Sequence, residues 1–351
     1  MSAPVQRERV ADLDAVREDW SRLAEEAGNP FSTWEWASIW WRHFGAGRAL
    51  AVERCRVDGR AVAILPLYEW RSRPLRALRF VGHGVADQLG PVCAADDRPH
   101  AASALREAFA ESRAQLLVAD RLAGEQGWPP LLGGRLMRTE ASPVLEAGGA
   151  DFAGWLASRS KNFRDQAKRR ERKLRREHER VEFRLTEDPG RLEGDFETLV
   201  RLHDAHWGER SRAFGPERRA FHRDFAHAAL ERGWLRLWTL EVDSRPAAAW
   251  LGYRFGGIEW YYQAGRDPAL ERENVGFVLL VHTIRTALDD GMREYRLLLG
   301  GESYKDRFAN ADHGLETVAL GRGARGRAAI AAVAAADRGP EPVRRRMKSL
   351  L

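Results

Sequence analysis

The 351-residue sequence contains only two cysteines, Cys55 and Cys93, and neither belongs to a Cys-x-x-Cys or Cys/His cluster. This scarcity fits a reducing compartment and argues against a structural zinc site. Long apolar runs are also missing, since none reaches the ~18 to 20 residues that a membrane-spanning helix needs. Residues 1–10 lack the apolar stretch of a signal peptide, and a cytoplasmic location is therefore the expectation.

Several catalytic motifs are missing as well. The sequence has no HExxH motif, no carboxylate-rich metal loop and no Ser-His-Asp arrangement, which argues against metal-dependent chemistry and serine hydrolysis. We therefore expect no metal cofactor. Walker-type and dinucleotide-binding glycine patterns are absent too, so any phosphate site must rest on a weaker signal.

Positive charge is in excess and is unevenly distributed. The formal net charge is +6, and residues 159–180 hold eleven Lys or Arg against four acids. Such a run could bind nucleic acid, an anionic membrane surface or phosphate-bearing substrates. The alternative is a solvated helix with i,i+4 pairs such as Glu171 with Arg175.

Thirteen tryptophans are many for this length, and four of them crowd into residues 34–41. Clustered aromatic rings can stack on sugars or bases, but helical spacing favours core packing here.

The first half of the chain predicts a mixed α/β unit. Apolar spacing predicts a helix over residues 10–26, and Thr33 is placed to cap a second helix. Two strand-like runs then flank Asp58-Gly59, the strongest hairpin signal in the chain. Further short strands and a helix complete this unit, which we place at residues 1–150.

The second half repeats the order of helices followed by strands. It opens with a long, basic connecting helix predicted over residues 151–180, and an amphipathic helix is predicted over residues 276–290. Residues 315–320 are expected to close the unit, which we place at residues 151–321. Residues 322–351 are Ala-rich and basic and are predicted to form an appendage.

Two segments place polar groups where strands end. One strand ends at Gly300-Gly301 and delivers Tyr304 and Lys305, and α/β sheets collect ligands at such ends. The other strand is followed by a loop and by Gly276 at a helix start. Unpaired backbone N–H groups and the helix dipole favour a pyrophosphate there. Each segment taken alone also occurs as plain structure.

The order of these motifs carries a family resemblance. In the second half they are Trp207 with Arg210-Ser211, Tyr261-Tyr-Gln-Ala-Gly265, Asn274-Val-Gly276 and Gly300-Gly-Glu-Ser-Tyr-Lys305. They resemble the CelD/BcsL (BioF2-like) acetyltransferases of the GNAT superfamily, which are relatives of the Fem peptidoglycan aminoacyltransferases. Residues 61–70 and 85–91 look like the group's first unit, so the resemblance covers residues 20–320. It implies a mixed α/β fold with two tandem GNAT-like units, the first of them degenerate.

The resemblance also implies roles for individual residues. The cofactor-binding positions are Gln263, Ala264, Gly265, Asn274, Val275, Gly276 and Phe277. Tyr304 is the implied general acid for the departing thiolate, and Lys305 a fixed positive charge for an anionic substrate or developing oxyanion. The implied acceptor-binding residues are Trp207, Arg210, Tyr262 and Glu302.

The general base is less well defined. The candidates are Asp87, Glu302, Asp204 and Glu209. Asp87 is preferred because its stretch matches the related group, although an Asx turn is an alternative role. His203 and His206 are interpreted as packed or solvated side chains. Arg296 departs from the family, whose members often carry an acid there, and this puts the ancestral acceptor chemistry in doubt.

The sequence therefore predicts an acyltransferase that uses acetyl-CoA or another acyl-CoA. The acceptor would be an amine or hydroxyl of a sugar, a polysaccharide such as an exopolysaccharide, or a cell-envelope precursor, and it could be anionic. A cleft between the two units, under the basic helix, would suit such a substrate by charge.

Two alternatives remain open. One is a Fem-like transferase that takes its donor from aminoacyl-tRNA, and the other is a non-catalytic module that docks on anionic membrane or nucleic acid. We expect no stable nucleic-acid complex, whereas peripheral membrane contact is possible.

Overall fold

In the computed structural model, the structure describes residues 4–72, 75–208 and 211–336. The chain packs into two compact units, one built from residues up to 141 together with those from 313 onward, the other from residues 142–312. Within the described ranges, no helix is both long and apolar enough to cross a membrane.

The first unit begins with strands and helices close to the predicted ones. Its elements up to residue 141 are β1 (Gln6–Arg9), α1 (Arg17–Ala27), α2 (Trp34–Phe44), β2 (Ala49–Leu50), β3 (Glu53–Val57), β4 (Arg60–Leu65), β5 (Leu67–Ser72), β6 (Leu75–Phe80), β7 (Val92–Cys93), α3 (Arg98–Glu111), β8 (Leu116–Ala123), α4 (Trp128–Leu132) and β9 (Arg135–Glu140). The Thr33 side chain accepts a hydrogen bond from the Trp36 backbone and caps α2, as predicted. Trp36 and Trp40 are 0% and 1% exposed, which confirms a core role for these two, whereas Trp34 and Trp41 are partly exposed.

The second unit is built on one large sheet. Its elements are β10 (Pro143–Glu146), α5 (Phe152–Ser158), α6 (Lys161–Glu177), β11 (Val181–Leu185), α7 (Pro189–Trp207), α8 (Pro216–Glu231), β12 (Leu235–Val242), β13 (Arg245–Phe255), β14 (Ile258–Arg266), α9 (Val275–Asp289), β15 (Glu294–Arg296) and β16 (Ala311–Asp312). The strand order is β11-β12-β13-β14-β15-β10-β16. Only β14 and β15 among these neighbours run parallel, with α9 as the crossover. Apolar residues of α9 and of the strands share the main core of this unit.

The predicted single helix over residues 151–180 is wrong in one respect, because the chain breaks between α5 and α6. Arg159 is extended, and the Ser160 side chain accepts a hydrogen bond from the Phe163 backbone at 3.3 Å. This bond caps a new helix, since serine at this position satisfies one of the free N–H groups of the first turn. The basic residues are therefore carried mainly by α6.

The predicted end of the second unit is also corrected. The last two described elements are β17 (Leu315–Gly321) and α10 (Gly323–Ala336). Strand β17 pairs antiparallel with both β8 and β9, in the middle of a sheet of the first unit. Ile330 of α10 is 7% exposed and packs into the core of that sheet. Residues 313–336 thus complete the first unit. The part of the predicted appendage that the structure describes is α10, which packs into the core of this unit.

The two units repeat one order of elements. In the first, α1 and α2 precede antiparallel strands, and α3 crosses over between the parallel strands β6 and β8. In the second, α7 and α8 precede antiparallel strands, and α9 crosses over between β14 and β15. The predicted mixed α/β class with two similar units is confirmed.

Candidate active site

A cavity of about 400 Å³ lies within the second unit, above the end of β14 and the start of α9. Its lining comes from six parts of the chain: Arg170 of α6; His206 and Trp207 of α7; Ala248, Ala249 and Trp250 of β13; Tyr261, Ala264, Gly265 and Arg266 of β14; Glu271, Asn274, Gly276, Phe277, Leu279 and Leu280 around the start of α9; and Glu302, Tyr304, Arg307 and Phe308. The volume is within the range of pockets that hold cofactors or drug-sized ligands.

Strands β14 and β15 separate at this cavity. They pair only where Ile258–Trp260 faces Glu294–Arg296, whereas β14 continues to Arg266. In the part of the chain that the structure describes, no other strand pairs with this edge of β14 beyond Trp260. A diverging pair of strands therefore leaves backbone groups available to a ligand, which is how an oxyanion can be bound by main-chain N–H donors.

An extra residue bends β14 at the same place. Leu251 of β13 pairs with Gln263 of β14, and the next residue of β13, Gly252, pairs with Tyr261. Tyr262 therefore has no partner on β13. Such a β-bulge re-aims the side chains around it. Tyr261 lines the cavity, while Tyr262 is buried on the other side, with its hydroxyl 3.4 Å from His222 Nε2.

Gly265 allows α7 to approach the strand closely. A Cβ atom built on Gly265 would lie only 2.2 Å from the backbone nitrogen of His203. The His203 Nδ1 atom is 3.0 Å from the Ala264 carbonyl oxygen, and its Nε2 atom is 2.8 Å from Ser211 Oγ. Donation from Nδ1 to the carbonyl leaves Nε2 as the acceptor for the serine hydroxyl. His203 thereby fastens the end of α7 and the segment after it to β14.

The start of α9 offers unused backbone donors to the cavity. Asn274 precedes the helix with φ of 57°, and its side chain makes no capping hydrogen bond. The first N–H groups of a helix have no intrahelical acceptor, and the helix dipole adds a positive partial charge there. Gly276 leaves this end accessible. The geometry is that of an anion site at a helix N-terminus.

Two tyrosine hydroxyls meet at the cavity wall. The Tyr304 hydroxyl is hydrogen-bonded to the Tyr261 hydroxyl, and desolvation followed by the effect of Tyr261 and Glu302 raises the pKa of Tyr304 well above its ordinary value. Burial also raises the pKa of Tyr261, while this hydrogen bond lowers it. Tyr304 keeps 38% of its surface exposed. Both phenols are therefore protonated at neutral pH and are available as proton donors.

Lys305 lies beneath this wall and not in the cavity lining. It is 4% exposed, and its Nζ donates to the carbonyl of Leu299 at 2.7 Å and approaches those of Leu298 and Gly300 at 3.4 and 3.3 Å. The same ammonium lies 2.9 Å from a carboxylate oxygen of Glu302. Lys305 satisfies the carbonyl groups where the strand ends and holds Glu302 at the cavity.

The structure brings most of the predicted site residues together. The predicted residues that line the cavity are Trp207, Ala264, Gly265, Asn274, Gly276, Phe277, Glu302 and Tyr304. Gln263 and Tyr262 are not in the lining, and Val275 is 0% exposed in the core. Arg210 lies outside the described residues.

The candidate bases are dispersed. Asp87 belongs to the first unit, where Arg121 Nη1 lies 3.3 Å from its carboxylate. Asp204 is exposed on α7, and Glu209 is outside the described residues. Glu302 is the one of the four that lines the cavity. His206, which sequence reasoning set aside, lines it as well.

Of the twelve cavity residues that sequence reasoning missed, eight are charged or aromatic: Arg170, His206, Trp250, Tyr261, Arg266, Glu271, Arg307 and Phe308. Tyr261 had a visible signal, because it stands beside the predicted Tyr262 and the bulge decides between the two. Arg170 and Arg307 had none, since the packing of α6, α9 and the segment over residues 305–308 brings them here.

The corresponding helix start in the first unit offers fewer free backbone donors. Asp97 precedes α3, and both oxygens of its carboxylate accept hydrogen bonds from Arg60 at 3.0 Å. Pro99 in the first turn has no N–H to offer. The Arg98 N–H already donates to the Ala95 carbonyl at 3.4 Å. Fewer first-turn N–H groups are therefore free at the start of α3 than at the start of α9.

Comparison with known proteins agrees with this geometry. Residues 161–306 match the family described as acetyltransferase (GNAT) domain. This range includes the cavity residues on α6, α7, β13, β14 and α9 and ends within the segment 302–308. A comparison with curated protein sequences gave no match.

Solved structures share the fold over most of the chain. FemX matches with a TM-score of 0.63 at 10% identity, over 89% of this chain and 96% of that one. A conserved protein of unknown function from Bacteroides thetaiotaomicron matches with a TM-score of 0.60 at 12% identity, over 90% of this chain and 99% of that one. The C-terminal domain of a putative lysylphosphatidylglycerol synthetase from Agrobacterium fabrum matches with a TM-score of 0.59 at 11% identity, over 90% of this chain and 94% of that one. Identities this low concern the fold alone. Together with the domain match, they show that the second unit has the GNAT acetyltransferase fold.

Proposed function

We propose that the second unit transfers an acyl group, acetyl or longer, from an acyl-CoA donor to an amine or hydroxyl acceptor. The observation that carries the proposal is one cavity in which an open strand edge, an uncapped helix start and two protonated tyrosines converge. These three features supply what acyl transfer needs: a site for the donor's phosphates, donors for the carbonyl oxygen and a proton for the leaving thiolate.

The helix start supports binding of the donor. The first-turn N–H groups of α9 face an end of the cavity where Asn274 provides no side-chain cap. Gly276 lines the wall, and a Cβ added there would come within 3.2 Å of Arg266 Cδ. A pyrophosphate would meet both the N–H donors and the positive end of the dipole. The residues present therefore fit a coenzyme A donor.

The strand edge and the tyrosines support the chemical step. Backbone N–H groups on the open edge of β14 are suited to stabilise negative charge on the thioester oxygen during attack. Tyr304 is assigned as the general acid, because its protonated hydroxyl lines the cavity beside the open edge of β14 and is the proton donor available to the departing thiolate there. The hydrogen bond with Tyr261 orients the Tyr304 hydroxyl.

For the base, the cavity supports Glu302 over the other carboxylates. Its side chain is half exposed, lines the cavity and is held by Lys305. A carboxylate in this position can take the proton of the attacking group. Asp87, preferred on the family resemblance, is the alternative base and is to be tested beside it.

The acceptor class rests on the family resemblance. A sugar, a polysaccharide or a cell-envelope precursor is proposed, with Trp207 available for stacking on a sugar ring.

Calorimetric titration of acetyl-CoA into the protein tests the proposal. We expect micromolar binding that is lost in Gly276→Trp, because the indole would fill the cavity. Gly194→Trp is the matched control, since a Cβ at Gly194 of α7 meets nothing within 4 Å and the variant should bind normally. Absence of binding to the unaltered protein would contradict the proposal and favour an aminoacyl-tRNA donor or a docking module.

A further inference from the structure

Two guanidinium groups converge on one phenyl ring at the cavity wall. Arg170 Cζ of α6 lies 4.3 Å from the centroid of Phe277, and Arg307 Cζ lies 5.5 Å from the same centroid. Both arginines and the ring line the cavity. The pair therefore presents two positive charges to whatever occupies it.

These two charges are not balanced by the protein. The other charged groups of the lining are paired, with Arg266 3.8 Å from Glu271 and Glu302 2.9 Å from Lys305. Across the described residues, neither Arg170 nor Arg307 has a carboxylate oxygen within ion-pair distance. Arg307 donates to the Gln166 amide oxygen at 2.8 Å, a neutral partner.

The electrostatic cost of this arrangement is visible at Arg170. Desolvation lowers its pKa, and the guanidinium groups of Arg307 and Arg169 lower it further. Two like charges brought together and partly removed from water are unfavourable in the free protein. A ligand that carries negative charge would relieve this repulsion.

Aromatic packing holds the pair in place. The rings of Phe163, Phe277 and Phe308 lie 5.2–5.8 Å apart and join α6, α9 and the turn over residues 305–308. Cation–π contacts with these rings stabilise the guanidinium groups. Because the groups are fixed before a ligand arrives, little conformational entropy is lost when one binds.

We propose that Arg170 and Arg307 bind a phosphomonoester dianion, and that in the donor this group is the 3′-phosphate of coenzyme A. A phosphomonoester carries roughly −1.5 to −2 charges at pH 7, which matches the two unbalanced arginines. Arginine presents forked N–H donors that suit phosphate oxygens. This inference rests on the proposed function and adds to it a residue pair that selects the donor.

The same charge count separates the two donor classes. The phosphates along an aminoacyl-tRNA strand are diesters with one negative charge each, whereas coenzyme A brings a dianion to a single point. The pair of arginines therefore favours coenzyme A as the donor over an aminoacyl-tRNA end.

Calorimetry with acetyl-CoA and 3′-dephospho-acetyl-CoA tests the inference on the full chain. The unaltered protein should bind acetyl-CoA about 10- to 100-fold more tightly, as loss of charge-assisted hydrogen bonds predicts. Arg170→Gln and Arg307→Gln should each reduce this ratio and leave the affinity for the dephospho compound within about twofold. Arg172→Gln is the matched control: it removes the same charge from α6 at an exposed position two residues along the helix, about 200° around its axis.

The outcomes are separable. Equal binding of both compounds to the unaltered protein, or an undiminished ratio in both arginine variants, would overturn the phosphate site and leave the proposed function standing. Binding of neither compound would overturn the proposed function and this inference together. A thermal unfolding midpoint close to that of Arg172→Gln confirms that each variant is folded.

Discussion

The hydroxyl of Tyr304, on the segment that follows β15, is hydrogen-bonded to the hydroxyl of Tyr261 on β14. Either hydroxyl can be the donor, because a phenol both donates and accepts. The two residues stand on either side of the gap where the parallel strands separate. A proton donor is thus placed at the only part of the described strand β14 that is open to a ligand on this edge.

Replacing Tyr304 by Phe should lower kcat by about 10- to 10⁴-fold, because a general acid is lost while the ring is kept. Steady-state kinetics with acetyl-CoA measures the effect. Tyr295→Phe is the control, since it removes another buried hydroxyl, bonded to Thr283 at 2.9 Å and absent from the cavity lining. Unchanged turnover in Tyr304→Phe would remove the residue from the mechanism.

The base is tested by comparing Glu302→Gln with Asp87→Asn. We expect the glutamate variant to lose about 10²- to 10⁴-fold in kcat and to regain part of it at higher pH, where the acceptor itself ionises. The pH profile of kcat for both variants is the measurement. A larger loss in Asp87→Asn would assign the base to Asp87 instead.

Lys305→Met should destabilise the fold by about 2–4 kcal/mol, since the buried carbonyl of Leu298 and the partly buried carbonyl of Leu299 lose their donor and Glu302 loses its partner. Urea unfolding measures this, with Lys161→Met on the exposed start of α6 as the control. Normal stability with a large fall in kcat would instead support the fixed catalytic charge that the sequence predicted.

Gly265→Ala should destabilise the second unit by at least about 2 kcal/mol, because its Cβ would meet the backbone of α7 and not a movable side chain. Gly194→Ala, within α7 itself, should instead be neutral or stabilising by up to about 1 kcal/mol, as alanine is the better helix former. Equal effects of the two substitutions in thermal unfolding would contradict the close approach.

Stability should fall as the pH drops below 6.5. Burial and then Arg218 lower the pKa of His222 from 6.5 to about 3, and burial lowers that of His282 to about 4. The unfolded chain binds these protons near pH 6.5 and the folded chain does not, so stability present above pH 6.5 is lost as the pH falls toward the folded pKa values. Each such histidine contributes up to about 1.4 kcal/mol per pH unit.

Urea unfolding between pH 7 and 5 measures how steeply the free energy of unfolding changes with pH. His222→Phe should reduce this slope, and an unchanged slope would contradict the assignment.

Local signals in the sequence predict local structure well here. The Thr33 cap, the turn at Asp58-Gly59 and the glycine-bearing start of α9 all depend on residues close together in the chain. Neighbouring residues do not decide which of Tyr261 and Tyr262 faces the cavity. The bulge at Tyr262 shifts the alternation of side chains along β14 by one residue. A strict period of two therefore selects the wrong member of the pair.

Long-range pairing accounts for the other differences. Arg170 and Arg307 are 137 positions apart in sequence, and no local pattern marks them as neighbours. Strand β17 is inserted between β8 and β9 by pairing across nearly 200 residues of chain. Such contacts depend on tertiary packing that overrides local propensity.

Strand β17 also has a consequence for the order in which the protein can be assembled. Residues 142–312 are continuous, so this unit has all of its sheet once residue 312 has left the ribosome. The other unit begins synthesis earlier but lacks an interior strand until residues 315–321 emerge. Until then β8 and β9 each expose an unpaired edge, which is a template for wrong pairing. The part of the chain made first is thus the part completed last.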